Sequence, residues 1–446
     1  MELIYNIKDK PSLSKIFLFA VQQLLAIMAA TIAVPAIVGN GLTASAALFG
    51  AGVGTIIYLL FTKSSSPVFL GSSFAFIGSM FSAFAGAASV SVGYWGLIIG
   101  ALMAGLIYII IAAVVKAFGV SWIDRLMPPV IIGPTVSIIG LSLSSNAVGD
   151  LMKSSVEGGS TYVALICGLI TLAVTMLCST YGKRIGRLIP FILGILAGYV
   201  AASAFALIGE LTGNQALIVI NYDALTSIKS LFSLPKFTFL AGGLEGLKGI
   251  TGGYLLTIFA AYVPVAFVVF AEHLADHKNL SSIIGTDLLS EPGLTRTLLG
   301  DGVGTMVSTL FGGCPNTTYG ESIGCVAITR NASTVSIWGC AVLCIITSLI
   351  TPIVAFLETI PSCVMGGVCT ALYGFIAVSG FKMFQKVDLN KNRNLFVASV
   401  IFITGVGGMV VKFGAVEIRT VACALILGIL TNLMLSCEKE EDSPEA

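Results

Sequence analysis

Charge is what this chain of 446 residues has least of: Asp, Glu, Lys and Arg together make up 10% of it. Its 23 basic residues barely exceed its 22 acidic ones, which leaves no phosphate-tracking surface and no reason to expect a nucleic-acid partner. Histidine occurs twice, at His273 and His277. The ten cysteines are scattered without a CxxC pair, most of them inside apolar runs, and read as packing. No GxxxxGK[ST] loop is present, which argues against ATP as an energy source. Nothing in the sequence calls for a cofactor or for an enzyme.

What remains is apolar. Hydrophobic residues are 56% of the chain and its mean hydropathy is +1.00, well above the roughly 45–50% apolar content of soluble domains. The expectation is an all-α polytopic membrane protein. The first apolar stretch follows no basic n-region and runs past the length of a signal peptide's core, so it is expected to be a first span.

A bilayer core about 30 Å thick needs about 20 apolar residues per helix, and that ruler yields fourteen candidate spans. Seven fall near 16–38, 44–62, 69–88, 94–117, 129–148, 161–178 and 188–208, and seven near 250–275, 297–312, 317–333, 335–357, 361–381, 394–411 and 415–436. The N-terminus, even-numbered loops and tail then carry seventeen of the 23 basic residues, which puts both termini on the cytoplasmic side. Because seven is odd, the second half must enter the membrane from the opposite face, so a repeat would be inverted. Traces of one exist: "PVFLGSSFAF" (67–76) against "PNTTYGESIG" (315–324), and "PPVIIG" (128–133) against "PSCVMG" (361–366).

Pro67, Gly71, Pro315 and Gly320 interrupt the third and tenth spans. Broken backbone in hydrocarbon survives only where it is buried or lines a cavity, so an extended piece leading into a half helix is expected at each. The two extended pieces could pair as a short antiparallel ladder, and the half-helix amides would face a ligand. Glu321 stands at the start of the second half helix, where free amides and the helix dipole offset part of its cost in the membrane.

The stretch "FAEHLADH" (270–277) gathers Glu272, Asp276 and both histidines. On a helix Glu272 and Asp276 share one face and His273 and His277 the neighbouring one. Two readings stand: an ion or proton path inside the membrane, or a snorkelling helix end at the cytoplasmic surface. A metal site on the two histidines lacks both the HExxH order and further ligands. Asp301, near the start of the ninth span, reads as a helix N-cap.

These segments resemble the nucleobase and ascorbate transporter family, and within it the bacterial uracil permeases. The likeness runs from "QQLLAIMAATIAVP" (22–35) to the last span and is most specific at "GSSFAFI" (71–77), "AEH" (271–273), "DLLSEPGL" (287–294) and "PNTTYGESIGCVAITR" (315–330). The resemblance implies fourteen spans in two inverted seven-helix repeats, with short antiparallel strands in broken spans 3 and 10. It implies a core domain (1–122 and 250–358), a gate domain (123–210 and 359–436), an extracytoplasmic loop (211–249) and a cytoplasmic tail (437–446). It also implies a homodimer in the lipid bilayer of the cytoplasmic membrane, and proton-coupled uptake of uracil or a related nucleobase.

By the same resemblance, Glu272 and Glu321 bind the base, with backbone amides near Phe74 and Gly320 donating to it and with Tyr319, Phe74 and Ser73 around it. Glu272, Asp276 and His273 are the proton-coupling candidates; Gln22, Gln23, Ser322 and Thr318 are expected behind them. The likeness also places Glu272 well inside the membrane, on a helix that runs past Lys278. Three positions depart from the family. Gln23 replaces a usual histidine and Ser322 a usual asparagine, which is expected to loosen hydrogen bonding; Asp276 stands where some uracil carriers have histidine.

Uracil alternates N–H donors and C=O acceptors around its ring, matching carboxylates and half-helix amides in turn. Purine-carrying relatives usually have Gln in place of Glu321, so a pyrimidine is preferred over xanthine or urate. An anion transporter on a related inverted-repeat scaffold is a more distant alternative, disfavoured by facing carboxylates.

Overall fold

A computed structural model describes residues 3–119, 122, 128–385, 387–413, 416–418 and 420–437. The domain boundary expected at 122–123, Arg125, Lys386, Arg419 and the tail beyond Cys437 lie outside the described residues. The chain is mostly helix, and helix occupies part of every apolar stretch named above. Among the described residues, eight helices are long and apolar enough to cross a membrane by length and composition. Their outer faces are greasy: Leu196, Val200, Leu207 and Leu211 of the Pro190–Thr212 helix are all exposed, as are Ile166, Leu169 and Met176 of Thr161–Tyr181. Water would not tolerate so continuous an apolar exterior, whereas lipid does. The protein is a multi-pass membrane protein.

Short polar side chains start these helices. Thr43 Oγ1 accepts from Ala46 N, Ser89 Oγ from Val92 N and Thr251 Oγ1 from Tyr254 N, each at 3.2–3.3 Å, so amides without intrahelical partners are satisfied at the helix ends. Close backbone approach packs them. A Cβ on Gly50 would stand 2.6 Å from Ser308 O, and one on Gly54 would stand 3.1 Å from Gly304 O. Small residues one turn apart thus bring Ala44–Phe61 and Leu294–Gly312 into backbone contact, the usual device where lipid offers no hydrophobic drive between helices.

The two interrupted stretches meet at the centre. Strand β1 (Leu70–Ser72) pairs antiparallel with β2 (Asn316–Thr318), with Leu70 opposite Thr318, Gly71 opposite Thr317 and Ser72 opposite Asn316. Tyr319 N→Phe69 O at 3.2 Å and Ser73 N→Pro315 O at 2.8 Å extend the ladder at either end. Every residue of both strands is buried, and each strand saturates the other's backbone, which makes a ribbon admissible inside a helical protein. β1 leads into the short helix Ile77–Ala85 and β2 into Gly320–Thr329.

Three expectations need correction. The spans expected at 394–411 and 415–436 are shorter helices, Asn392–Val406 and Thr420–Met434, with β3 (Val411–Phe413) paired to β4 (Val416–Ile418) between them. Residues 335–357 bend at Ile350 into two helices, Thr334–Leu349 and Thr351–Glu358, where Pro352 sits in the new first turn. Asp301 is no N-cap, since its helix begins at Leu294 behind Gly293 and Asp301 lies buried in its interior. The loop at 211–249 holds two short helices, Asp223–Thr226 and Thr238–Lys248.

Candidate functional site

Glu272 and Asp276 lie on the Gly252–Ile284 helix, whose 33 residues run unbroken past Lys278. The two carboxylates share the face that borders a cavity of about 320 Å³. Phe74, from the turn after β1, and Thr318, Tyr319, Gly320 and Glu321, from β2 and the following half helix, line the same cavity. Its far wall comes from the Ser362–Phe384 helix through Leu372, Phe375, Ser379 and Met383.

Tyr319 is the N-cap of the half helix and Gly320 its first residue, so the amides of Gly320, Glu321 and Ser322 have no intrahelical acceptor. Gly320 and Gly324 open onto the cavity, and a Cβ on either would meet nothing within 4 Å. Thr318 Oγ1 donates to Asp276 Oδ2 at 2.7 Å. Glu272 and Glu321 bond to no protein side chain among the described residues. The cavity therefore presents two carboxylates that no described side chain engages, beside the backbone amides that open the half helix. Arg187, from the short Arg184–Leu188 helix, is the cation on its described wall, and its guanidinium donates to Thr180 O at 3.2 Å.

The residues expected behind the site divide. Ser322 Oγ accepts from Gln23 Nε2 at 2.5 Å and from Phe69 N at 3.1 Å, pinning the half helix to the first helix and to the start of the ribbon. At the two positions where looser hydrogen bonding is expected, Gln23 and Ser322 bond directly to each other. Gln22 takes no part, and its Oε1 is buried without a partner. Ser73 is buried off the cavity, with its amide engaged by Pro315 O. His273 points to the opposite side of its helix, where Nδ1 lies 2.7 Å from Asp301 Oδ2 and Nε2 3.0 Å from Thr297 Oγ1. No group of three or more His, Cys, Asp or Glu suited to a metal occurs among the described residues.

Sequence reasoning passed over Arg187, Thr317, Phe375, Ser379 and Met383. Only Arg187, a cation in a loop, carried a signal; the others are ordinary residues of membrane helices or of the ribbon.

The cavity continues into a second one of about 660 Å³ through shared Asp276, Phe375, Ser379 and Met383, and Lys278 and Lys382 stand at that outer part. On the other side Phe74 also borders a separate cavity of about 230 Å³ edged by Ser79, Ser82, Ser142 and Asn146. Phe74 meets Tyr373 edge to face, ring centroids 5.7 Å apart.

The Permease family model matches residues 14–413. The chain belongs to this family. The permease is 37% identical to the uracil permease of Bacillus subtilis over 98% of this chain and 96% of that one. It is 38% identical to the uracil permease of Bacillus caldolyticus over 97% and 94%, and 35% identical to that of Escherichia coli over 96% and 93%. Among solved structures, the permease shares its fold with the transmembrane domain of a cyanobacterial bicarbonate transporter, with a TM-score of 0.62, 16% identity and coverage of 96% and 99%. It also matches a murine anion transporter of solute carrier family 26 in the inward-facing state, with a TM-score of 0.65, 11% identity and coverage of 96% and 69%.

Proposed function

We propose that the permease takes up uracil across the cytoplasmic membrane together with protons. The observation that carries this reading is the placement of Glu272 and Glu321: two carboxylates from different elements, bonded to no side chain among the described residues, face one cavity beside the amides that open a half helix. Uracil's N–H groups want acceptors and its C=O groups want donors, and the cavity offers both in alternation. Its volume of about 320 Å³ is at the small end of small-molecule sites. Relatives named uracil permeases at 35–38% identity over nearly the whole chain support the same substrate.

Coupling follows from the cost of an ionised carboxylate in a closing site. Glu272, alone or with Asp276, takes a proton from outside, which lets uracil bind and the site close; an unpaired charge there resists closure. Release toward the cytoplasm returns the proton. One charge moved through 100 mV yields about 2.3 kcal/mol, enough for roughly fifty-fold accumulation.

The scaffold we infer has fourteen spans in two inverted repeats, supported by the strand-then-helix order that recurs at 70–85 and 316–329 and meets antiparallel. Spans 1–4 and 8–11 form a core that carries the cavity's acids. Spans 5–7 and 12–14 form a gate that supplies Phe375, Ser379 and Met383. Alternating access is movement of one against the other. With both termini cytoplasmic, the cavity edged by Lys278 and Lys382 opens inward, and two copies associate as a dimer in the inner membrane.

Labelled uracil uptake into proteoliposomes under an imposed proton gradient, beside labelled xanthine, tests the reading. Glu272→Gln and Glu321→Gln should each abolish gradient-driven uptake. Unchanged uptake in both variants would falsify the site.

A further inference from the structure

Uracil is neutral, yet the way out of its cavity is edged with cations that the uptake mechanism leaves unused. Lys278 and Lys382 border the cavity of about 660 Å³ that continues from the base site through Asp276, Phe375, Ser379 and Met383. Lys278 stands on the Gly252–Ile284 helix and Lys382 on Ser362–Phe384. Neither takes part in an ion pair or a hydrogen bond among the described residues. The positive-inside bias accounts for lysines near cytoplasmic helix ends. It does not account for two that border one cavity from different walls with no acid paired to either.

Further polar groups there are unengaged. The side chains of Asn279 and Ser379 border the same cavity and have no hydrogen-bond partner among the described residues. Asp276 sits where the two cavities join, with Oδ2 accepting from Thr318 Oγ1. Glu272, Asp276 and Asn279 follow one another at i, i+4 and i+7 and form one stripe; Ser379 and Lys382, three apart, form another on the second helix. From Glu272 to Asn279 the helix rises about 10 Å. Arg187 adds a third cation on the wall of the smaller cavity.

A ligand fitted to this arrangement carries a pyrimidine ring at one end and a phosphate at the other. Substitution at N1 leaves the ring its N3–H and both carbonyls, which the carboxylates and the half-helix amides read. Sugar hydroxyls then fall at the joint, where Asp276 accepts and Asn279 and Ser379 offer donors and acceptors. A phosphate monoester bears about −1.5 to −2 charges at neutral pH, and lysine ammonium groups hold such an anion as point charges. Free phosphate lacks the ring's contacts and a nucleoside lacks the charge, so the whole binds more tightly than either part.

We propose that the cavity edged by Lys278 and Lys382 is an inhibitory subsite for a pyrimidine nucleoside monophosphate, which enters from the cytoplasmic side and seats its ring beside Glu272 and Glu321. Its phosphate lies between the two lysines, one on each wall. The sugar and phosphate fill the space between the two helices, so the walls cannot close behind the ring. The nucleotide therefore competes with uracil and is not carried.

This rests on the uracil reading above, and the test separates the two. Labelled uracil is bound to the purified full-length permease in detergent, where both faces are open, and displaced with uridine monophosphate, uridine or inorganic phosphate. The monophosphate should compete about ten-fold or more better than uridine, the worth of a charged hydrogen bond, and inorganic phosphate should not compete. Lys278→Gln and Lys382→Gln should each weaken the monophosphate about ten-fold and leave uracil affinity as in the wild type. A monophosphate no better than uridine, competition by inorganic phosphate alone, or unaltered competition in both lysine variants overturns the proposal. Phosphatidylglycerol added to the micelles should change nothing; if it abolishes the nucleotide's competition, the lysines hold a lipid headgroup instead and the proposal falls. Accumulation of labelled monophosphate by proteoliposomes would make it a substrate and overturn its role as an inhibitor. Failure of the wild type to bind uracil at all would instead remove the reading beneath.

Discussion

The Tyr319 ring lies against Gly71, so close that a Cβ on Gly71 would stand 2.3 Å from its Cε2. The Tyr319 hydroxyl continues across the ribbon to Ser72 O at 2.8 Å. One aromatic residue at the start of the half helix thus clamps the strand opposite it, and the half helix holds Glu321 in the cavity wall.

Gly71→Ala should therefore cost stability by overpacking, about 1–3 kcal/mol, and displace the half helix as well. Tyr319→Phe keeps the ring and loses one hydrogen bond, worth about 1 kcal/mol. Thermal unfolding in detergent, with and without uracil, checks this: Gly71→Ala should unfold earlier than Tyr319→Phe and lose most of its stabilisation by uracil. Equal melting of Gly71→Ala and wild type would show that the clamp yields freely.

Features of the site that break a general rule are legible in the sequence. Glu272, Asp276 and Glu321 are charges in apolar surroundings, and Pro67, Gly71, Pro315 and Gly320 interrupt helix where lipid demands it; each is costly enough to need a cause. What depends on distant pairing is not legible. Asp301 looks like a cap because capping is read from neighbours, whereas its partner His273 is 28 positions away. Gln23 and Ser322, 299 positions apart, look like losses one at a time and are a fitted pair only when folded. Phe375, Ser379 and Met383 close the cavity by shape and carry no chemical signal.

Gly324 offers a test of the cavity that leaves the fold alone. A Cβ there meets nothing within 4 Å, so Gly324→Val can be accommodated, but it places its methyl groups where a ligand would lie. Overpacking of about 1–3 kcal/mol felt only by the ligand lowers affinity by roughly five- to 150-fold. Uracil binding measured by calorimetry should weaken by that much while the melting temperature of the ligand-free protein holds. Wild-type affinity in Gly324→Val would move the ligand elsewhere.

The loop that carries "DLLSEPGL" should respond to acid. Asp287 accepts from Ser290 Oγ at 2.5 Å and Leu289 N at 3.0 Å, and these bonds, the Ser290 hydroxyl first, hold its carboxyl below its ordinary value of 3.8. A depressed carboxyl stabilises the folded loop fully above the ordinary value, and that contribution disappears as pH falls through the lowered one. Amide protection of residues 287–291, taken relative to the exchange rate of an unstructured chain at the same pH, should thus be steady from neutral pH down to mild acid and fall only at stronger acid. Asp287→Asn should lower protection at neutral pH and converge with the wild type at strong acid, and a wild-type loop equally protected at strong acid would contradict the assignment.

Phe74 stands between two cavities. It borders both the cavity of about 320 Å³ and the separate one of about 230 Å³, and its ring leans on Tyr373. Truncation to alanine removes that wall as well as a face against which a flat base can stack. Core Phe→Ala changes cost about 3–5 kcal/mol, but a side chain with cavities on two sides has fewer contacts to lose, so the variant should fold. Proteoliposomes of Phe74→Ala should dissipate an imposed proton gradient faster than wild type without uracil present, and should not accumulate uracil. Phe74→Leu, which refills most of the volume without a ring, should restore the seal but not the affinity. If Phe74→Ala holds the gradient as wild type does, the two cavities are separated by something other than this ring.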